Sequence, residues 1–402
     1  MGHGHSHRAG HDDDVEVDPL PRTLLLSLLA VALVVTVVGV VMLWPDGDEV
    51  DELRGSVSFA ADGVTFPEAE VLEVEPPCAD LTQPPDGCGR ILVVVGDVDA
   101  KGVTAEVEVP PWVTDVLDDG DQVVLVRTPA SEGVADETFA FFSIERDRPL
   151  WLLLGLFALV VVAVARLRGL MALVGLGFAA VVVGLFVVPA LLTGESPVAV
   201  AVVGAVAIMY VVLYTTHGFS IRTSAALAGT LGGIALTAAL GAWAVGATHL
   251  TGVTDEAGGL LTTYAGGLDL HSLLVAAVVI AGLGVLNDVT ITQASAVWEL
   301  RGAAPEMTRR QVFVSAMRIG RDHVASTIYT IVFAYVGTAL LLLLVVSLYD
   351  RPLVDLAGTE EIATEVVRSL TSSIGLVLAM PLTTAIAALT VPGPAREPDT
   401  AG

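Results

Sequence analysis

Long apolar runs separated by short polar joins are the dominant pattern of this chain. The first, Leu24–Leu43, has 20 residues without a charge, enough to span a bilayer as one helix. It is too long for a removable signal peptide and lacks a small-residue cleavage site. Seven further runs follow Pro149, so the pattern predicts a polytopic α-helical membrane protein with about eight transmembrane helices. These runs are 150–165, 170–192, 198–216, 223–247, 272–292, 324–348 and 374–391.

Residues 45–148, between the first and second predicted helices, follow a different pattern. Short Val-rich stretches alternate with turn signals such as Asp62-Gly63 and Asp119-Gly120. This spacing predicts a small β-barrel-like domain of OB or SH3-like size. Two roles fit it, a folded cap on a transporter mouth and a ligand-sensing module. The predicted strands are 57–59, 71–74, 91–95, 105–109, 122–126 and 138–144.

Composition and charge agree with a membrane protein. Hydrophobic residues make up 54% of the chain and charged residues 16%, against about 25% charged in soluble domains. The formal net charge of -26 is concentrated in residues 45–148, which hold 25 acidic and 6 basic side chains. Phosphate binding needs a basic surface, so this balance excludes nucleic acid as a partner.

Arginines mark one side of the predicted helices. Because positive residues concentrate in cytoplasmic loops, the pattern predicts cytoplasmic N- and C-termini and an extracytoplasmic β domain, in a plasma membrane. The predicted segments are a tail (1–22), a first helix (23–44), the β domain (45–148), a seven-helix domain (149–392) and a second tail (393–402). The arginines are Arg166, Arg168, Arg222, Arg301, Arg309, Arg310, Arg318, Arg321 and Arg396.

Two groups of metal- or sulfur-bearing residues lie outside the predicted helices. Alternating histidines in the first tail either chelate a metal weakly or belong to a solvated tail. The only cysteines, Cys78 and Cys88, are predicted to form a disulfide if the β domain is extracytoplasmic, with a two-thiol metal site as the alternative. The histidines are His3, His5, His7 and His11.

The segment 271–301 begins as an apolar helix and becomes polar without a helix breaker. Asp288, Thr292, Ser295 and Glu299 follow one another at spacings of four, three and four, which places them on one helix face. A carboxylate at the centre of a bilayer helix costs about 2.5–3.5 kcal/mol. Asp288 therefore either belongs to a polar path inside the protein or lies near the cytoplasmic end of its span, wetted by neighbours.

Two more polar clusters follow. Arg318, Arg321, Asp322 and His323 form the first, in which an arginine either neutralises Asp288 or Glu299 or anchors the cytoplasmic side. The second precedes the last helix, where Glu361, Glu365 and Arg368 either gate the outer side or form a solvated face.

These clusters lie in three runs that resemble the YibE/F family of bacterial membrane proteins: GLGVLNDVTITQASAVWELR, RIGRDHVASTIYTIVFAYVG and EVVRSLTSSIGLVLAMPLTT. The resemblance extends from the first span through the β domain to Thr384. The family is described as uncharacterised, and the resemblance implies a permease-like role. Asn287 departs from the family pattern, which more often has an apolar residue there. The motif residues implied are Asp288, Ser295, Glu299, Arg318, Gly320, Arg321, Asp322, His323, Glu365, Arg368, Gly375, Pro381 and Thr383.

The sequence favours a secondary transporter or permease for a small solute or ion, with Asp288 in an intramembrane polar path. No Walker A motif is present, so ATP drives transport only through a partner. The alternative is a scaffold or sensor that acts through the β domain. HExxH is absent and no membrane protease spacing occurs, so we expect no enzyme and no cofactor. The expected partners are the lipid bilayer, an unknown small solute or ion, and a second copy or an envelope protein.

Overall fold

The computed structural model describes residues 17–56, 60–61, 63–75, 89–96, 102–130, 137–253, 258–259, 261, 267–348 and 352–394. The chain divides into two compact units, a β unit (Val57–Ala163) and a helical unit that combines Met1–Ser56 with Val164–Gly402. Each unit is described by itself. The predicted metal-binding histidines of the first tail and the predicted Cys78–Cys88 pair lie outside the described residues.

Five antiparallel strands form one sheet in the β unit. Their order is β3-β2-β1-β4-β5, and β3 and β5 also approach each other, so the sheet nearly closes into a small barrel. The short helix α3 (Pro111–Thr114) lies between β3 and β4 in the chain. The strands are β1 (Glu68–Val74), β2 (Arg90–Val95), β3 (Thr104–Glu108), β4 (Gln122–Thr128) and β5 (Thr138–Ile144).

Alternation along each strand produces the barrel core. In β2, Ile91, Val93 and Val95 are buried while the residues between them are half-buried, because successive side chains point to opposite faces. Bulges in β1, after Val71, and in β4, before Leu125, bend the strands as closure requires. The predicted barrel-like domain is confirmed at this level. Five predicted strands are present, and the predicted strand 57–59 lies outside the described residues.

Helices form the rest of the described chain. Helix α4 (Asp147–Val182) begins in the β unit, enters the helical unit at Val164 and is followed by a π-helical turn, Val183–Val187. The other helices are α1 (Pro19–Met42), α2 (Gly47–Ser56), α5 (Val188–Leu192), α6 (Pro197–His217), α7 (Ile221–Thr248), α8 (Leu270–Ala303), α9 (Arg309–Thr338), α10 (Leu340–Ser347), α11 (Leu353–Leu356) and α12 (Glu360–Thr390).

Six helical segments in the described part of the chain are long and apolar enough to cross a membrane: α1, Asp147–Leu192, α6, α7, α8 and α12. Helices α9 and α10 pass the same test only together, with a bend of 61° between them. The predicted eight spans require Asp147–Leu192 to cross twice. Arg166 breaks this segment with φ 53° and ψ -130°, where the sequence predicts a join. The count of eight stays a prediction.

Helix α7 is central in the helical unit and packs against both α8 and α12. Glycines make this close packing possible. A Cβ at Gly229 would overlap the Thr383 side chain of α12, and a Cβ at Gly375 would overlap the Thr237 hydroxyl of α7. Glycines therefore permit close helix contacts at the α7–α12 interface.

Polar contacts connect the ends of the helices on two opposite sides of the helical unit. Arg309, at the start of α9, pairs with Asp18 at 2.7 Å and donates to the Val391 carbonyl at 3.1 Å. The start of α1 and the end of α12 therefore lie on the same side of the helical unit. On the opposite side, Glu360 accepts a hydrogen bond of 2.6 Å from the backbone N–H of Thr251, which follows α7.

Asp269 is the N-cap of α8 and gives a first testable prediction. The Ser272 hydroxyl and backbone N–H donate to its carboxylate, and these hydrogen bonds hold the pKa of Asp269 below its usual range. The cap therefore stabilises the fold fully above the unfolded-state pKa and is lost as the pH falls through the lower folded-state pKa. We expect Asp269→Ala to cost about 1 kcal/mol at neutral pH. Asp269→Asn should keep most of that stability and remove its pH dependence, as measured by thermal unfolding in detergent between pH 3 and 7.

Candidate functional site

Helix α8 carries the polar face that the sequence singles out. It is continuous from Leu270 to Ala303, so the segment 271–301 is one helix and not a re-entrant loop. At a rise of 1.5 Å per residue, Asp288 lies about 27 Å from the first residue of α8 and about 22 Å from the last. Asp288 is thus near the middle of a helix that exceeds the hydrocarbon thickness of a bilayer, about 30 Å.

Asp288 meets His323 across the α8–α9 contact. The distance from His323 Nε2 to Asp288 Oδ2 is 3.6 Å. The Asp288 side chain is 66% exposed on the surface of the helical unit, whereas the His323 side chain is 31% exposed. Thr292 and Ser295 continue the same face of α8 and are half-buried, and Glu299 is exposed near the helix end. The structure therefore keeps the predicted face together and adds His323 to it.

The arginines of α9 do not pair with these carboxylates. In the described part of the chain, neither Arg318 nor Arg321 lies within 4.0 Å of a carboxylate oxygen of Asp288 or Glu299. Both arginines are exposed, as is Asp322. The hypothesis that one of them neutralises Asp288 within the same chain is therefore not supported by the geometry, because the α9 side chain that faces α8 at this depth is His323.

A cavity of about 630 Å³ lies between α8, α9, α10 and α12. Its apolar wall includes Ala281 and Val285 of α8 and Ala334 of α9, and the carboxylates of Glu361 and Glu365 lie at its polar end. The 61° bend between α9 and α10 falls beside the cavity, because Thr338, Ala339 and Leu342 also line it. Its volume is in the range of small-molecule sites, about 300–1,000 Å³.

Glu365 and Arg368 form an ion pair in the cavity wall. The distance from Arg368 Nη1 to Glu365 Oε1 is 3.3 Å, and the two side chains are only 29% and 26% exposed. The second carboxylate oxygen of Glu365 is buried and accepts no hydrogen bond from the described residues, and the same holds for the hydroxyls of Thr364 and Ser372. The wall therefore offers several polar atoms whose hydrogen-bonding capacity the protein leaves unused.

A buried polar layer at the level of Gln293 escaped the sequence analysis. The Gln293 side chain is fully buried, and its Oε1 accepts a hydrogen bond of 3.0 Å from the Thr384 hydroxyl. One turn away, the hydroxyls of Thr290 and Thr230 lie 2.7 Å apart. The layer joins α7, α8 and α12. Gly320 of α9 packs against this layer, because a Cβ at that position would overlap the Gln293 amide. A glycine at this position is the sequence feature that indicates the close contact.

Two predicted cytoplasmic arginines have clear structural contacts. Arg301 is buried, and its guanidinium donates to the carbonyls of Pro305 at 2.9 Å and Met307 at 2.7 Å, which fixes the turn between α8 and α9. Arg309 joins α1, α9 and α12 through the contacts described above. These two side chains stabilise the fold and lie apart from the cavity.

The cavity and Asp288 share one face of α8. Ala281 and Val285 line the cavity, and Asp288 follows them at the next helical spacing. On α9, Thr330 lines the cavity and His323 lies two turns further along the same side. Asp288 and His323 do not line the cavity themselves; they lie beyond it on the same sides of α8 and α9, and we call this α8–α9 contact, from the cavity to Asp288, the groove. In the described residues, no group of three or more His, Cys, Asp and Glu side chains has a metal-binding arrangement.

Comparison with known proteins supports the resemblance. The model of the YibE/F-like protein family matches residues 153–393, which is more than half of the chain. The match begins inside α4, so α1 and the five strands lie outside it, although the resemblance in the sequence extends further. No curated protein and no solved structure matches the chain. The matched region contains the cavity, the Asp288–His323 contact and the buried polar layer, and the chain belongs to the YibE/F-like family.

Proposed function

We propose that this membrane protein is a secondary transporter or permease for a small ion, most readily a proton or another small cation. The observation that carries the proposal is the cavity whose polar end holds Glu361, Glu365 and Arg368 and whose α8 face leads to Asp288. Broken or bent helices and intramembrane carboxylates are recurring parts of transport paths.

The charges of the groove favour a cation over an anion. Arg368 is paired with Glu365, which leaves Glu361 as an unpaired acidic group at the polar end of the cavity among the described residues. Further along, the Asp288 carboxylate faces one histidine rather than an arginine. A histidine, unlike an arginine, does not carry a fixed positive charge, so the Asp288–His323 pair leaves the carboxylate able to bind a proton or another cation. A fixed arginine would hold Asp288 permanently neutralised.

Eight membrane crossings are part of this proposal. Trp44 stacks on Phe186 at 5.9 Å, so the end of α1 lies beside the π-helical turn that precedes α5. Asp18 contacts Arg309 at the opposite end of the helical unit. These two contacts support a return of the chain to the Asp18 side between α1 and Phe186. The apolar stretch Leu150–Ala165 is the segment long enough to do so, and Arg166 marks its end. The concentration of arginines in the loops on the Asp18 side supports cytoplasmic N- and C-termini in this proposal.

The test is ion flux in proteoliposomes that contain the full chain. We expect the wild-type protein to dissipate an imposed gradient of protons, sodium ions or a divalent cation. A dye inside the vesicles that is sensitive to the chosen ion follows the flux. Asp288→Asn should slow the responsive flux at least about tenfold, because the amide cannot carry the charge that stabilises the bound cation, and tenfold corresponds to about 1.4 kcal/mol.

Glu306→Gln is the matched control, since Glu306 is exposed in the turn between α8 and α9 and lies outside the polar face of α8. This variant should retain flux within about twofold of wild type, a change of about 0.4 kcal/mol. Equal flux for wild type and Asp288→Asn against the whole panel, or no flux from wild type, contradicts the proposal.

A second candidate function rests on the β unit. Trp112 of α3 is 73% exposed and Val116, four residues later, is 64% exposed, so the unit presents an apolar patch typical of a protein contact. Under this alternative the protein is an envelope scaffold or sensor. Removing residues 57–146 and leaving α2 intact, because its Val50 is buried, distinguishes the two functions. Flux survives the deletion in a transporter, and activity is abolished in a scaffold.

A further inference from the structure

The cavity of about 630 Å³ is much larger than an inorganic cation needs. A water molecule occupies about 30 Å³ in the liquid, so a cation with its first shell of waters fills only part of this volume. Much of the lining is apolar, including Ala281 and Val285 of α8 and Ile331 and Ala334 of α9. Because such walls gain free energy only by covering another apolar surface, the cavity suits an organic ligand.

A second cavity, of about 260 Å³, adjoins the first between α9, α10 and α12. The side chains that line only this second cavity are aliphatic, apart from Ser369. Glu365 belongs to both linings, so its carboxylate lies where a cavity with a polar end meets one with apolar walls. The lining residues that the two cavities share are Tyr335, Ala339, Leu342 and Glu365.

Two buried hydroxyls in the lining of the first cavity have no hydrogen-bond partner among the described residues. They belong to Thr364 and Ser372, which are 5% and 4% exposed. The second carboxylate oxygen of Glu365 is also without a partner in this part of the chain. Buried polar atoms are normally hydrogen-bonded, so three unpaired oxygens in one wall point to a ligand that donates hydrogen bonds.

The charge of the first cavity selects a cation. Of the described residues in its lining, Glu361, Glu365 and Arg368 carry charge, which gives a net charge of -1 when all three are ionised. Arg368 pairs with Glu365, and Glu361 makes no ion pair with the described residues. An ammonium group supplies both the missing positive charge and N–H donors, and its hydrogen bonds to carboxylates are of the stronger, charge-assisted kind.

We propose that the two cavities bind an organic ammonium ion with an aliphatic chain. Its ammonium group lies at Glu361 and Glu365, and its chain occupies the second cavity. An alkylamine is protonated at neutral pH, as the lysine side chain is. This ligand class deepens the proposed function by naming an organic solute for the cavity, and passage of that solute across the membrane rests on the proposed function. Its binding is measured without flux.

The first experiment measures the binding of alkylammonium ions to the full chain in lipid nanodiscs, by equilibrium dialysis. Empty nanodiscs of the same lipids measure partition into lipid, which is subtracted. Each buried methylene strengthens binding about fourfold, so hexylammonium should bind at least about tenfold more tightly than ethylammonium. Hexanol and hexanoate should bind at least about tenfold more weakly than hexylammonium, because neither has a positive charge. Equal binding of the three six-carbon compounds, or no binding of hexylammonium, overturns the proposal.

The second experiment changes one cavity at a time. Glu361→Lys reverses the charge at the polar end and should weaken hexylammonium binding at least about tenfold, because like charges repel. Glu306→Lys is its matched control, since Glu306 is exposed in the turn between α8 and α9. This control should bind hexylammonium within about twofold of wild type, because exposed charges at a distance are screened by salt.

Val336→Phe fills part of the second cavity, which Val336 lines at 42% exposure. It should weaken hexylammonium binding at least about fivefold and leave ethylammonium within about twofold, because only the longer chain loses buried methylenes. Val314→Phe is the control, since Val314 is 49% exposed on the same helix and lines neither cavity. Hexylammonium affinity that is unchanged in both Glu361→Lys and Val336→Phe overturns the proposal.

The binding and flux measurements separate this inference from the proposed function. Specific hexylammonium binding without any cation flux supports the ligand site and contradicts transport. Cation flux without hexylammonium binding contradicts the ligand site alone.

Discussion

Replacing Gly375 by alanine is expected to lower the free energy of unfolding by about 1–3 kcal/mol, the range for overpacking a well-packed core. A Cβ at this position would overlap the Thr237 hydroxyl, and it would lie 3.2 Å from the Thr237 Cβ. Gly375 and Thr237 are both buried at the α7–α12 contact, so neither helix has an open side into which the new methyl group can move. Unfolding in mixed detergent micelles, followed by circular dichroism, measures the change.

A substitution of Thr237, the residue that Gly375 contacts, tests whether steric overlap causes the loss of stability. Thr237→Ala removes the hydroxyl that overlaps the new methyl group and leaves the Cβ at 3.2 Å, a tight contact that a shift of a few tenths of an ångström relieves. The buried Thr237 hydroxyl accepts no hydrogen bond and donates none to the described residues, so its loss alone should cost less than about 1 kcal/mol. The double variant Gly375→Ala, Thr237→Ala should therefore recover most of the lost stability.

Gly284→Ala is the control for the intrinsic effect of replacing a glycine by alanine within a helix. Gly284 lies within α8, and a Cβ there meets no atom within 4 Å. Alanine should stabilise this position by up to about 1 kcal/mol, because it has the higher helix propensity. A loss of stability at Gly284 equal to that at Gly375 would show that helix flexibility, rather than close packing, explains the effect.

The helices and strands followed closely from the sequence because their patterns are local. Period-two alternation identified β2, and its Ile91, Val93 and Val95 are buried as that period requires. The run Leu24–Leu43 lies almost entirely within α1, Pro19–Met42. The helix ends were harder to predict. Helix α8 extends 11 residues beyond the predicted apolar run 272–292, to Ala303, and includes the predicted polar face through Glu299. Its polar half has no apolar run, and burial against neighbouring helices, rather than apolarity, maintains it.

The site was only partly predictable, because side-chain pairing across helices depends on rotation and depth. The spacing from Asp288 to Glu299 correctly placed four side chains on one face. It carried no information on whether Arg318, Arg321 or His323 would turn toward that face. Gln293 lies on the opposite face of α8, among small residues that look apolar in a window average. Its partner Thr384 is 91 residues away, so only the packed structure reveals the layer.

The Glu365–Arg368 pair gives the second large expected effect. Both side chains are mostly buried in the cavity wall, and in the described chain Arg368 is the only cation that lines the cavity. Arg368→Gln leaves the Glu365 carboxylate without its counter-charge. Breaking a buried pair from one side costs about 3–5 kcal/mol, and the partial exposure of this pair reduces the expected loss to about 1–3 kcal/mol. Unfolding in mixed micelles at neutral pH measures this loss.

The double variant Glu365→Gln, Arg368→Gln tests whether the loss of stability comes from the unpaired Glu365 charge. With both charges removed, the desolvation cost disappears together with the attraction, so stability should return to within about 1 kcal/mol of wild type. If the pair also controls entry to the groove, the double variant should fold and still show altered flux in the proteoliposome assay. A double variant as unstable as Arg368→Gln would show instead that the Arg368 side chain stabilises the α8–α12 contact by packing, because the loss would then not depend on the Glu365 charge.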